Sequence, residues 1–169
     1  MGIAAAAPQD DAGFMARVLD LTNTERQKAG LPPLALNAQL GNAAQSYSQV
    51  LAATGCFEHT CGAVPDFADR DAQAGYTGWS TIAENIAAGY PTPEAVVSGW
   101  MASPGHRANI LSSNYTEIGI GVVSGAGTFG TYWTQEFGSR QGAVLDFAPL
   151  PVPADEASPS DDGSAGDDE

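Results

Sequence analysis

An α+β layered domain is what this sequence predicts, on two observations. Apolar residues recur at helical spacing up to about Ala102, then switch to strand-like runs after Asn114. Helices gathered ahead of a sheet fit layers packed on a shared core. A hydrophobic content of 43% over 169 residues is enough for one globular domain of ordinary size.

The elements follow in order. Asp10 to Gly30 reads as a helix, with Phe14, Val18, Leu19 and Leu21 on its apolar side and Gly30 ahead of Pro32-Pro33 as the stop. A second helix is expected from about Asn37, a plausible N-cap, to Thr54. Leu40, Ala44, Tyr47 and Leu51 form its stripe, and Gly55 ends it. Cys56 to Pro65 reads as a loop. A short helix is expected from Asp66 or Phe67 to Ala74. Thr92-Pro93-Glu94 is a strong helix start: a capping hydroxyl, proline at the first helical position and an acid at the positive end of the dipole. That helix carries Val96, Val97 and Trp100 and ends before Pro104-Gly105. Glu117 to Val123 and Phe129 to Phe137 read as two strands joined by Ser124 to Thr128, the second rich in aromatic and β-branched residues.

Three segments are expected: a disordered remnant over 1–10, the folded domain over 11–147 and a disordered acidic tail over 148–169. The tail is rich in Pro, Ala, Ser and Asp, which bury too little apolar surface to offset chain entropy. Asp161-Asp162-Gly163-Ser164 resembles a calcium loop only superficially, because the helix-flanked twelve-residue frame is missing. Seven of the twenty acidic residues lie after Pro151 with no Lys or Arg among them, and they carry half of the net charge of −14. Lys28 is the lone lysine and five arginines are scattered, so nucleic-acid binding is disfavoured. No apolar run reaches the roughly 18 to 20 residues that span a bilayer. Met1 to Pro8 lacks the basic region of an intact signal peptide. It fits an alanine-rich remnant behind an added Met-Gly, in a secreted or periplasmic chain made without its leader; a cytosolic chain with a frayed end is the alternative.

Chemistry concentrates around the two histidines. His59 sits in the Cys56-to-Pro65 loop and His106 in Ser103-Pro104-Gly105-His106-Arg107, also read as a loop, where sites tend to sit. Between them Glu84 is embedded in Ile82-Ala83-Glu84-Asn85-Ile86, and an acid in an apolar stretch must be paired, hydrogen-bonded or in a cleft. Cys56 and Cys61 can close as a disulfide if their side chains face each other, pinning the segment that holds His59. A closed Cys2His2 zinc site from Cys56, His59, Cys61 and His106 is the rival, with unusually compressed spacing. Trp79, Trp100 and Trp133 read as core, Arg107 as a surface cation, Glu117 as a strand-edge acid and Asn85 as a backbone-binding amide near the cleft.

Four motifs in order resemble the CAP family of cysteine-rich secretory, antigen and plant pathogenesis-related proteins, in its bacterial form. They are Asn23-Thr24-Glu25-Arg26, Ala83-Glu84-Asn85-Ile86 (alanine where the family has glycine), Ser103-Pro104-Gly105-His106-Arg107-Ala108-Asn109-Ile110-Leu111, and Tyr132-Trp133-Thr134-Gln135-Glu136-Phe137-Gly138. The resemblance spans roughly Phe14 to Gly138. It implies a three-layer α–β–α sandwich with a central cleft of two histidines and two acids. His59, Glu84 and His106 match three of those positions. Asp69 is the first choice for the fourth, with Asp66, Asp71 and Glu58 as alternatives. The cysteine-rich C-terminal module of some animal members is absent, so channel blocking is not implied.

Two neutral imidazoles can hold Zn²⁺ or another divalent cation, with water completing the shell and the acids orienting the rings. The expected function is therefore a secreted module that binds a metal and a small ligand, lipid, peptide or glycan in its cleft. A metal-dependent hydrolase, in particular a peptidase with Glu84 as catalytic base, uses the same atoms. An adhesion or structural role with a vestigial site is the third reading. Ser80, Thr81 and Ser103 lie near the histidines in sequence, but no nucleophile elbow accompanies them.

Overall fold

The computed structural model describes residues 10–143 and 145. The expected remnant over 1–10, apart from Asp10, and the expected acidic tail lie outside the described residues.

Helix α1 runs Asp11–Lys28, capped by the Asp10 side chain, which accepts from Gly13 N at 2.9 Å. A two-residue strand, β1 (Ala35–Leu36), leads into α2 (Ala38–Thr54), where Asn37 caps two amides and left-handed Gly55 closes the end. Helix α3 (Phe67–Gln73) follows the histidine loop. Strand β2 (Trp79–Ala88) precedes α4 (Pro93–Ala102), whose Thr92 cap and Pro93 start are as expected. Helix α5 (Pro104–Ile110) then leads to the hairpin of β3 (Glu117–Ala126) and β4 (Gly130–Arg140).

The four strands lie in the order β1-β3-β4-β2, antiparallel except for the β1–β3 pair. The fold is α+β with helices on both faces of the sheet. Val18 of α1, Val96, Val97 and Trp100 of α4 and Ile110 of α5 form one core with Ile118, Ile120, Val122, Trp133 and Phe137. Tyr47, Leu51 and Ala52 of α2 form the other with Ile86 and Tyr132. The period-two alternation of the strands divides the cores: even positions of β3 face α1 and α4, odd ones face α2. Those odd positions include Gly119 and Gly121, where any Cβ would collide with the backbone of α2 at Leu40 and Ala44. The glycines let a helix lie directly on the sheet.

One element had no expectation from sequence and two others depart from it. The segment around Glu84 is a ten-residue strand; it carries small residues and an acid and is largely buried on both faces, so it lacks a hydrophobic alternation. Pro104-Gly105 starts a helix instead of only ending one, because proline suits the first helical position. The hairpin is tighter than expected, with pairing continuing to Ala126 and Gly130. The Asn23-Thr24-Glu25-Arg26 motif proves structural. Buried Arg26 donates to the carbonyls of Pro32, Ile110 and Ser112, while Asn23 brackets Leu34, tying α1 to two loops.

Candidate functional site

The cleft opens across the outer edge of β2, between the two helical layers. His59 comes from the loop on the α2–α3 side, His106 from α5 on the other, and Ile86, Ala87 and Ala88 of β2 lie between them. The cavity has a volume of about 430 Å³. The two histidines, 47 positions apart in the chain, thus line one groove. His106 sits on a helix, correcting the loop expected from sequence; α5 is too short to show helical periodicity.

His59 is held through Glu84, whose Oε1 lies 2.7 Å from His59 Nδ1. The carboxylate therefore fixes Nδ1 as the protonated nitrogen and leaves Nε2 free. This hydrogen bond raises the His59 pKa; burial and the Arg70 charge oppose the shift, and the Glu84 charge adds to it. His106 moves the opposite way, lowered by burial and then by the field of His59. Two chemically identical rings thus differ in proton affinity: His106 is the more readily neutral, His59 the more readily protonated.

Glu84 itself is buried and fully engaged. Its second oxygen accepts from Arg70 Nη2. Arg70 Nη1 donates to the carbonyls of His59 at 3.1 Å and Pro65 at 2.7 Å, and its guanidinium lies 3.5 Å from the centroid of the Tyr47 ring. One arginine thus clasps the histidine loop to β2. The loop is further closed by the Cys56–Cys61 disulfide and by Tyr47, whose hydroxyl donates to the Glu58 carbonyl. With both sulfurs bonded to each other, the Cys2His2 zinc alternative is excluded.

The second acid expected from sequence has no single counterpart. Asp69 is exposed on α3 and outside the cleft lining; Asp66 caps that helix; Asp71 is buried behind Arg70; Glu58 is exposed and lines the cleft. Glu117 is buried, correcting the simple edge acid. Burial pushes its pKa up, but hydrogen bonds from Arg140, Tyr76 and Asn37 outweigh that and hold it below the ordinary value. Trp100 and Trp133 are core, as expected, whereas Trp79 is exposed. Asn85 donates to the His106 carbonyl at 3.2 Å, and Asn109 donates to the Glu84 carbonyl, so α5 is tied directly to β2.

Sequence reasoning missed Arg70, Glu136 and the aromatic wall. Phe57 is 44% exposed and Tyr90 37% exposed, and both line the cleft. Tyr90 packs on α4 where Gly99 leaves room; a Cβ there would stand 2.6 Å from the ring. Glu136 could have been placed: it shares strand parity with Tyr132 and Thr134 within a motif already noted. Arg70 carried no local signal.

Chemically, the groove pairs two imidazoles with an apolar, aromatic wall. Among the described residues, no group of three or more His, Cys, Asp or Glu side chains is placed to hold a metal ion. A cation here would rest on His59 and His106, with the Glu84–His59 hydrogen bond supplying the orienting contact that metal-bound histidines usually have. No described helix is long and apolar enough to cross a membrane.

The cysteine-rich secretory protein family profile matches residues 19–137. Uncharacterized protein YkwD of Bacillus subtilis is 40% identical over 131 residues, covering 78% of this chain and 49% of that protein. An extracellular protein of Bacillus anthracis containing an SCP domain is 30% identical and superposes with a TM-score of 0.72, covering 82% of this chain and 45% of that one. An outer surface protein of Borrelia burgdorferi shares the fold at 20% identity, with a TM-score of 0.71 over 81% of this chain and the whole of that one. The chain spans about half the length of the two Bacillus proteins.

Proposed function

This chain belongs to the cysteine-rich secretory protein (CAP) family, and from that membership we propose that it is an extracellular binding module whose cleft holds a divalent cation, zinc being the best match, beside a ligand with an apolar part. The observation that carries the reading is the shared groove: His59, its Nδ1 engaged by Glu84, and His106 line one cavity. Burial shifts His106 toward the neutral form that ligation requires, whereas the Glu84 hydrogen bond shifts His59 the other way, so a bound cation must compete with a proton there. Phe57 and Tyr90 supply the apolar wall against which a peptide or lipid segment packs. The similar Bacillus anthracis protein is extracellular, which supports the location.

When bound, the cation supplies a Lewis-acid centre that attracts an oxygen or nitrogen of the ligand. The chain's own residues do the rest. His59 and His106 hold it, Glu84 orients His59, Arg70 keeps Glu84 in place, and the disulfide keeps the loop closed. A peptidase with Glu84 as general base is the weaker reading. Both oxygens of that carboxylate are occupied by His59 and Arg70 and its side chain is sealed from the groove, so it must break two charge-assisted contacts before reaching a cleft water.

The test is calorimetric titration of the metal-free protein with zinc, in parallel with a peptide-substrate library assayed with and without chelator. Micromolar or tighter zinc binding, lost in His59→Ala and His106→Ala and without peptide turnover, supports the module. Chelator-sensitive turnover moves the assignment to a hydrolase. Unchanged zinc affinity in both histidine variants refutes the metal site.

A further inference from the structure

A layer of titratable groups lies behind His59. Glu84 of β2 stands directly opposite Glu136 of β4 in the antiparallel register, so the two carboxyls project from the same face of the sheet. There they meet Arg70 and Asp71 of α3 and Tyr47 of α2, while the β3 position opposite Glu136 is Gly119, which brings no charge. Glu84, Glu136 and Asp71 are all buried, and Arg70 is the cation they share. Arg70 directs Nη1 to two carbonyls and Nη2 to Glu84; its 3.7 Å approach to Glu136 is too long for a hydrogen bond. Among the described residues, neither oxygen of Glu136 or of Asp71 meets a hydrogen-bond partner.

Three ionised carboxylates against one guanidinium would leave two uncompensated charges away from water, a state that buried groups avoid by binding protons. Burial drives Glu136 toward its neutral form, the charges of Glu84 and Asp71 push the same way, and Arg70 opposes them without prevailing. A neutral Glu136 carries an O–H donor, and the acceptor across the strand pair is Glu84.

We propose that Glu136 is a positioning residue of the cleft: a buried carboxylic acid whose O–H donates a hydrogen bond to Glu84 and so holds that carboxylate aimed at His59. The inference rests on the reading of His59 as a ligand-holding group. Glu84 then receives three donors, from His59, Arg70 and Glu136, which together fix the direction in which it faces His59. The arrangement also explains how two acids can face each other inside a sheet, where two like charges would repel.

The test uses the metal-free, disulfide-intact protein. Carbon-13 NMR of the side-chain carboxyls follows Glu136 in the unaltered chain, with Glu136→Gln for assignment. Its signal should stay in the protonated position through pH 7, whereas a midpoint near the ordinary glutamate value of about 4 overturns the proposal. Thermal melts of the parent and Glu136→Gln from pH 5 to 9 give a second readout. The amide keeps a donor without a charge, so the variant should fall less in melting temperature than the parent as pH rises. A variant that instead loses ground to the parent at high pH means Glu136 works as an anion. Glu136→Met removes the donor, and nitrogen-15 NMR should then find the His59 tautomer no longer fixed, while Glu136→Gln retains it; equal tautomers in both variants refute positioning. Zinc affinity should fall about tenfold in Glu136→Met and stay near the parent's in Glu136→Gln. If the parent binds no zinc, the metal reading fails, and the carboxyl, melting and tautomer data still decide the role of Glu136.

Discussion

Glu84 concentrates the electrostatics of the cleft in one side chain. It orients His59, neutralises Arg70 and is buried while doing both. Replacing it with Gln keeps the shape but removes the charge both partners face. Glu84→Gln should destabilise the fold, but by less than the about 3–5 kcal/mol of a buried charge left alone, because Glu136 and Asp71 remain beside Arg70 and one of them can ionise in its place. It should also weaken zinc binding by about 10- to 100-fold, because His59 loses its orienting partner. Urea melts and calorimetry read the two effects separately. Asp69→Asn is the control: Asp69 is exposed, and its change should stay within about 0.5 kcal/mol with zinc affinity intact. An Asp69 effect as large as that of Glu84 would restore it as the second cleft acid. Sequence alone could nominate Glu84, because an acid among apolar residues needs a reason. It could not separate Asp69 from Asp71, since helical positions two apart point in different directions and only packing decides which is buried.

At the level of elements, loop 56–66 and the α2–β3 contact matter most. The disulfide encloses few residues, so removing it through Cys56→Ser with Cys61→Ser should cost only about 2 kcal/mol in the loop-entropy picture. The larger consequence should fall on the cleft, because His59 lies inside that loop: zinc affinity should drop further than the stability loss alone would produce, as titration of the reduced and oxidised protein can establish. Gly119→Ala tests the close approach of α2. A methyl group there meets the Leu40 backbone, which has no flexible end to move, so a loss of about 1–3 kcal/mol or more is expected in urea denaturation. Helices α1, α2 and α4 were legible from caps, glycine stops and apolar stripes, which are local signals. Strand β2 and helix α5 were not, because β2 is buried by tertiary packing without alternation and α5 is seven residues long.

Across the whole molecule, buried carboxyls set an unusual pH response. Asp71 is raised to about 7, by burial first and the Glu84 charge next, against the opposing effect of Arg70. A group whose folded pKa exceeds its unfolded value stabilises the fold below the unfolded pKa, and that contribution is lost as pH rises to the folded one. Asp71 should thus cost the fold stability between roughly pH 4 and about pH 7, with Glu136 acting in the same direction. Glu117, held below its ordinary 4.5, acts oppositely, and its contribution is withdrawn only as pH falls below about that value. Melting temperature should therefore peak in mildly acidic solution and decline toward pH 8. A profile still rising from pH 5 to 8 would contradict the burial of these acids as un-ionised groups. The sequence by itself determined the fold class, the long helices, the hairpin and the grouping of His59 with Glu84 and His106 as candidates, because caps, periodicity and motif order are written in neighbouring residues. Tertiary structure alone decided that Arg70 clasps the loop, that Glu136 stands behind Glu84 and that Phe57 and Tyr90 wall the groove. Each of those depends on which strands pair and which faces meet, and a buried charge acquires its meaning only from partners that folding brings from elsewhere in the chain.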